Sequence, residues 1–233
     1  MLEPTHETHR LFLRQALSLA RLSLPKPTNF RVGCVIVSYP TASDPVVLST
    51  GYTLELPGNT HAEQNALSKL ASQHNIPESR LNDILTPDLN ATLYTTLEPC
   101  GLRLSGNLPC VERIIATRKD DADGGIRKVI FGAKEPGTFV QDSASLKRLD
   151  EAGVRWEYVG GLDDEILQVA MEGHMNKGVD EGKESMVGAQ REPLHQQPHG
   201  ATNVDDISPE ERARQEQLPR NPKKRMMEVD VPP

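Results

Sequence analysis

The chain has 233 residues, enough for one compact domain and at most a second small one. Its 26 Lys and Arg against 33 Asp and Glu leave a formal net charge of -7, a poor basis for binding nucleic-acid phosphates, where cationic contacts supply most of the affinity. Three cysteines argue against a disulfide scaffold, and neither a signal-like N-terminal run nor a stretch of about 18 apolar residues occurs, so the expectation is a cytoplasmic protein with no membrane span.

In chain order, His6–Leu22 predicts a helix, with Leu13, Ala16, Leu17 and Ala20 at helical spacing. Arg31–Val37 is an apolar, β-branched run that predicts a buried strand, and Val46–Leu54 predicts a second strand after a Pro/Ser/Asp turn. Thr60–His74 predicts a helix with Ala62, Ala66, Leu67, Leu70 and Ala71 on one side. Ala91–Thr96 reads as a strand, Cys110–Thr117 as a short helix and Lys128–Gly132 as a strand. Ser143–Ala152 reads as a helix stopped by Gly153, Arg155–Val159 as a strand and Asp163–Met175 as a last helix. The order α-β-β-α-β-α-β-α-β-α predicts an α/β fold: a three-layer α/β/α sandwich with a mixed five-stranded sheet.

The aromatic residues, four Phe, four Tyr and Trp156, all precede position 160, whereas 176–233 has none and carries seven prolines among many Gln, Glu, Lys and Arg. Such a segment cannot bury enough apolar surface to offset its ordering entropy. The expectation is a folded domain over 1–175 and a largely disordered polar tail over 176–233, with one short helix, Pro209–Gln217, capped by Ser208.

Three pieces carry chemistry: His61-Ala62-Glu63, Pro99-Cys100 and Pro109-Cys110. One histidine and two cysteines supply the three ligands that a catalytic zinc uses, with the fourth position left for water, and thiolate with imidazole favours zinc over harder cations. His61 and Cys110 open predicted helices, and a helical turn is expected at Cys100; a helix N-terminus lowers a thiol's pKa towards the thiolate the metal needs. Glu63 follows the ligand by two residues on the same turn, placed to take a proton from water and return it to a ring nitrogen and then to departing ammonia. The H-x-E…P-C…C pattern is that of zinc deaminases. Taken alone, Thr60-x-x-Glu63 also reads as a capping box in which Glu63 serves helix N–H groups. Cys34, inside an apolar strand, reads as a buried core thiol. His74 reads as a solvated helix-end residue, and His6, His9, His174, His195 and His199 show no partner spacing.

With these residues in place, the sequence resembles the cytidine deaminase-like superfamily and, within it, the deaminases of riboflavin biosynthesis, from about Leu11 to Met175. Asn29-Phe30-Arg31-Val32-Gly33 is similar to that family's Asn-Pro-x-Val-Gly, with Phe30 replacing Pro. Thr96-Leu97-Glu98-Pro99-Cys100 matches its Thr-Leu-Glu-Pro-Cys, and Gly132-Ala133-Lys134-Glu135-Pro136 resembles its Gly-x-x-Asp-Pro with Glu135 replacing Asp. Leu149–Val154, followed by Gly161, resembles its later helix–strand unit. The nine residues between Cys100 and Cys110 exceed the Cys-x-x-Cys gap of most relatives, and Arg103-Leu104-Ser105-Gly106-Asn107 resembles the fungal enzymes acting on 2,5-diamino-6-ribitylamino-4(3H)-pyrimidinone 5′-phosphate.

The resemblance implies Zn2+ held by His61, Cys100 and Cys110, proton transfer by Glu63, and substrate contacts from Asn29, Ala62, Arg103, Ser105, Gly106 and Asn107. Asn29 would meet the pyrimidine edge, and the long loop the phosphate or ribityl hydroxyls. For Arg103 a phosphate partner and an ordinary solvated loop charge both stand. For Glu98, orienting the site and supporting the strand end both stand. Bacterial relatives fuse a reductase domain of about 200 residues, which 176–233 is too short and polar to form, so a monofunctional deaminase is expected. A homodimer is implied by the family alone. Two competitors remain: a deaminase of another nucleotide or a tRNA base, with Pro222-Lys223-Lys224-Arg225 as an RNA contact or nuclear address, and a non-catalytic zinc-stabilised subunit, against which the presence of Glu63 counts.

Overall fold

The computed structural model describes residues 4–41, 44–103, 105–118, 124–136 and 144–174. The expected tail over 176–233, its helix Pro209–Gln217 and the basic cluster Lys223–Arg225 lie outside the described residues, as do His195, His199 and Leu104.

Helix α1 (His6–Ala20) begins at Thr5, whose hydroxyl accepts the Thr8 N–H at 3.2 Å, and buries Phe12, Leu13, Ala16, Leu17 and Ala20 as one stripe. Strands β1 (Gly33–Ser38) and β2 (Val46–Tyr52) pair antiparallel. Helix α2 (Ala62–Gln73) follows, then two 3-10 turns, Glu78–Asp83 and Pro87–Leu89, which begin at or beside Pro77 and Pro87 and which sequence patterning did not predict. Next come β3 (Thr92–Leu97), α3 (Cys110–Ala116), β4 (Lys128–Ala133), α4 (Ser145–Glu151), β5 (Arg155–Tyr158) and α5 (Asp163–Ala170). The strand order is β2-β1-β3-β4-β5, with β1 antiparallel to β3 and β3, β4 and β5 parallel. The mixed five-stranded sheet expected from sequence is the one observed.

Strand alternation explains the two cores. Cys34, Ile36, Leu93 and Val129 face one side, where Ala66, Leu67 and Leu70 of α2, Val111 and Ile114 of α3 and Leu149 of α4 cover them. Val35, Val37, Tyr94 and Ile130 face the other, against α1 and Ile166, Val169 and Ala170 of α5. This is a three-layer α/β/α sandwich. His9, which sequence spacing left without a partner, is buried in the second core with its Nδ1 2.8 Å from the Tyr94 hydroxyl.

Most element ends shift by one or two residues from expectation, and two of the shifts have a common cause. Strand β1 starts at Gly33, not Arg31, because the Arg31 N–H donates to Ala170 O at 3.1 Å instead of joining the sheet. Helix α5 stops at Ala170, short of Met175, and turns carry the chain to His174 through Gly173 at φ 90°. The start of β1 and the exit of α5 are therefore laced together.

Gly51 sets how closely α2 lies on the sheet. A Cβ there would stand 2.2 Å from Ala62 O and 2.5 Å from Ala66 N. Both neighbours are backbone, so neither can swing aside. Gly51→Ala is expected to cost about 3 kcal/mol, read as a lower urea midpoint at an unchanged slope; an unchanged midpoint would show that α2 can move off the strand.

Candidate active site

The C-terminal end of β3 lies beside the N-terminal end of β1, with Cys34 opposite Thr95, and beside the C-terminal end of β4, with Leu97 opposite Ala133. Three ligand atoms converge at this edge. His61 is the extended residue that caps α2 (φ -93°, ψ 161°), Cys110 is the first residue of α3 after Pro109, and Cys100 lies in the loop that leaves β3. Their ligand atoms all lie within 4.8 Å of one another. His61 Nδ1 is 3.5 Å from Cys100 Sγ and 3.4 Å from Cys110 Sγ. A tetrahedral zinc with Zn–N of about 2.1 Å and Zn–S of about 2.3 Å sets such neighbours about 3.6 Å apart. The trio therefore has both the donor chemistry and the spacing for that ion.

The helical turn expected at Cys100 is absent. Its thiol is served from across the loop instead, accepting the Cys110 N–H at 3.4 Å, while Cys100 O accepts the Val111 N–H at 3.2 Å. The hydrogen bond from the Cys110 thiol, together with the His61 imidazole, holds the Cys100 thiol well below its ordinary value despite burial. Cys34 is the opposite case: burial, then the Glu63 charge, pushes its thiol well above the ordinary value. It is a core thiol, fully covered.

Glu63 is 3% exposed and accepts the Thr95 hydroxyl at 3.2 Å. Burial, with the Cys100 charge adding to it, pushes its carboxyl above the usual range. The capping-box alternative for Glu63 does not hold. The cap is His61, and Gln64 at the third helical position accepts the His61 N–H at 3.4 Å, while the Thr60 hydroxyl donates to Leu56 O. Glu63 is thereby left facing the cleft.

That cleft is lined by Asn29, Asn59, His61, Glu63, Cys100, Arg103 and Ser105, among others. Asn29 donates to Asn59 Oδ1 at 2.7 Å and accepts the Thr28 hydroxyl at 2.8 Å, which fixes its amide. Arg103 is 6% exposed, so it is no solvated loop charge; it donates to Gln64 Oε1 at 2.9 Å and to Asn59 O. Gly106 is an exposed turn glycine at φ 78°, whose N–H donates to Arg103 O. Asn107 is buried, with neither end of its amide hydrogen-bonded among the described residues. Ala62 is packed in the core beneath the first turn of α2. Glu98 lines the cleft and accepts the Ser145 hydroxyl of α4.

Among the cleft or supporting residues that escaped sequence reasoning as site residues are Thr95, Asn59, Glu135 and His174. Glu135 carried a signal, the Gly-Ala-Lys-Glu-Pro segment, and burial followed by the charges of Cys100, Glu63 and Glu98 pushes its carboxyl up. His174 carried only the indirect one of Phe30 replacing proline, since the two rings stack at 4.9 Å with planes 29° apart. His74 is exposed at the end of α2, as expected.

Comparison with known proteins agrees with this geometry. The family described as the cytidine and deoxycytidylate deaminase zinc-binding region matches residues 6–132. The chain is 31% identical over 169 residues to the diaminohydroxyphosphoribosylamino-pyrimidine deaminase of Schizosaccharomyces pombe, a match covering 72% of this chain and 36% of that protein, so it spans about a third of that relative's length. The crystal structure of the Aspergillus oryzae Rib2 deaminase, a C-terminal deletion mutant at pH 4.6, superposes with a TM-score of 0.67 at 52% identity, over 72% of this chain and 94% of that one. The same deaminase in complex with DARIPP gives 0.66 at 51% identity, over 72% and 93%. Since the family match spans the helix carrying His61 and Glu63 and both cysteine segments, the chain belongs to the cytidine and deoxycytidylate deaminase zinc-binding family.

Proposed function

We propose that the chain is a zinc-dependent hydrolytic deaminase of riboflavin biosynthesis, converting 2,5-diamino-6-ribitylamino-4(3H)-pyrimidinone 5′-phosphate to 5-amino-6-ribitylaminouracil phosphate and ammonia. The observation that carries this reading is one cleft joining a zinc-compatible His61-Cys100-Cys110 trio, a buried Glu63 and a fixed Asn29 amide. The substrate class rests on the names and the complex of the two relatives.

When bound at the trio, zinc supplies the Lewis acidity that brings the ionisation of water towards neutral pH. The chain's own groups do the rest. Asn29 offers an amide donor and acceptor to the pyrimidine edge. Glu63, oriented by Thr95, accepts a proton from water, passes it to the ring nitrogen and later supplies the departing nitrogen. The amino-bearing carbon gains oxygen from water as its C–N bond breaks, and the nitrogen leaves as ammonia. A carboxyl raised by burial is suited to this exchange, because it holds and releases a proton nearer neutral pH. Arg103 and Ser105 line the cleft, and in this reading they meet the ribityl phosphate chain together with Ala62, Gly106 and Asn107.

In this reading the catalytic domain is 1–175, the active form is a homodimer, and the enzyme works in the cytoplasm. Among the described residues no helix is long and apolar enough to cross a membrane. Ammonia release should be fastest with the ribityl pyrimidine phosphate, slower with the ribosyl one and absent with cytidine and deoxycytidylate. Deamination of tRNA without turnover of free pyrimidines would overturn the substrate assignment.

A further inference from the structure

Resting on that reading of the substrate, we infer that Asn59 is a positioning residue that acts on the pyrimidine through Asn29. Asn29 lies outside the sheet, in the turn from Lys26 that precedes β1. An amide that must meet one edge of a ring has to be held in one orientation, since small misplacements at a reacting group lower the rate steeply. Two groups hold this one. The Thr28 hydroxyl belongs to the same turn and moves with it. Asn59, 30 residues further on, accepts the Asn29 side-chain N–H at 2.7 Å. Among the described residues, Asn59 is therefore the one that ties the Asn29 amide to the body of the site.

Asn59 is itself held from both sides. Its loop follows β2 and closes on itself: Leu54 donates to Thr60 O at 2.9 Å, and the Thr60 N–H and hydroxyl go to Gly58 O and Leu56 O. Gly58, at φ 88°, makes the turn directly before Asn59. From the other side, Arg103 of the long loop donates to Asn59 O and to Gln64 Oε1, the same oxygen that accepts the His61 N–H. One chain of hydrogen bonds thus runs from His61, a ligand of the trio, through Gln64, Arg103 and Asn59 to Asn29. It sets the amide that meets the pyrimidine relative to the trio that meets water. The two ends of Asn59 have separate tasks. Its main-chain oxygen serves Arg103, and its side chain makes one hydrogen bond among the described residues, the one to Asn29. A side-chain substitution therefore removes the second tie and spares the first. With one N–H given to Asn59 and the Thr28 hydroxyl accepted, the Asn29 amide keeps a second N–H and a second lone pair for the ring.

The test is a double-mutant cycle on the ribityl pyrimidine phosphate with Asn59→Ala, Asn29→Ala and both together, and Asn59→Asp as the conservative variant. Asn59→Ala should lower kcat/KM about tenfold and keep the zinc content and Tm of the wild type. Added to Asn29→Ala, it should lower kcat/KM no further, because a residue that acts through another has no effect once the other is gone. Asn59→Asp retains an acceptor oxygen for the Asn29 nitrogen and should recover most of the loss. A comparable further fall in the double variant would make Asn59 a direct substrate contact and overturn the assignment, as would wild-type kinetics in Asn59→Ala. The tie also has a readout that needs no substrate. In a proton–nitrogen correlation spectrum, the side-chain amide pair of Asn29, identified by its absence in Asn29→Ala, should move in Asn59→Ala and return in Asn59→Asp; an unmoved pair would equally overturn it. If the wild type releases no ammonia from this pyrimidine, the functional reading fails by itself, and the spectrum still decides whether Asn59 holds Asn29.

Discussion

Glu63→Gln is expected to lower kcat by about 10³-fold while zinc content stays stoichiometric and Tm does not fall. The substitution keeps the shape of the side chain and its carbonyl oxygen, so the Thr95 hydroxyl retains an acceptor. It removes the one thing proposed for Glu63, a carboxylate that takes up and returns a proton. Stability should hold because the native group is an acid at 3% exposure, and burial already disfavours its charged form. Replacing a buried carboxyl by a neutral amide relieves that cost, the pattern of a residue kept for chemistry at the expense of stability. Glu63 is also outside the group of metal-ligating atoms, so the metal should remain. Three measurements on one preparation decide the matter: steady-state ammonia release, metal content and a thermal scan. Wild-type turnover in the variant would remove Glu63 from the proton path, and loss of zinc along with turnover would make it a structural support of the ligand trio.

The parts of this protein that were legible in its sequence share a property: residue type alone restricts what they can do. Apolar periodicity along Leu13–Ala20 and Ala62–Ala71, and the β-branched run ending at Val37, have few burial solutions, and the sheet and both helical layers followed from them. His61, Cys100 and Cys110 were legible because few side chains supply nitrogen and sulfur to a tetrahedral ion. What was not legible depends on where the chain turns. The cap of α2 falls on His61 and not Thr60, since the Thr60 hydroxyl is taken by Leu56 O, and this shift of one residue moves Glu63 from a capping role to the cleft. Sequence leaves Arg103 open between a phosphate partner and a solvated loop charge, and gives no sign of Gln64 and Asn59, both far back in the chain, which the fold brings against it. His174 shows no ligand spacing with anything, because its neighbours come from the exit of α5 crossing the entry to β1. Glu98 and Ser145 meet in the same way, through α4 docking at the end of β3. Long-range packing places these side chains, and packing leaves no local period to read.

Cys110→Ser is expected to lose both the metal and a large part of the stability, and the contrast with Cys34→Ala shows why the two belong together. Cys110 is fully buried at the head of α3, its thiol 3.4 Å from His61 Nδ1 and its N–H on the Cys100 thiol. Serine fits the space and preserves the backbone bond, so the change acts on the donor atom: a hydroxyl is a far weaker ligand than a thiolate for a zinc-like ion. An ion held at about 1,000 times its dissociation constant stabilises the native state by about 4 kcal/mol. For a domain of this size each kcal/mol shifts Tm by about 2–4 °C, so the loss should appear as a fall of roughly 10 °C, matched by the wild type after exhaustive chelation. Cys34→Ala removes a sulfur that is equally buried and lies on the same face of the sheet, but outside the trio. It should cost only the packing of one small side chain, about 1 kcal/mol, and keep its zinc. Adding zinc back should restore the chelated wild type and leave Cys110→Ser where it was. If Cys110→Ser instead bound zinc and melted with the wild type, the trio would not be the metal site, and the cleft would need another source for its activated water.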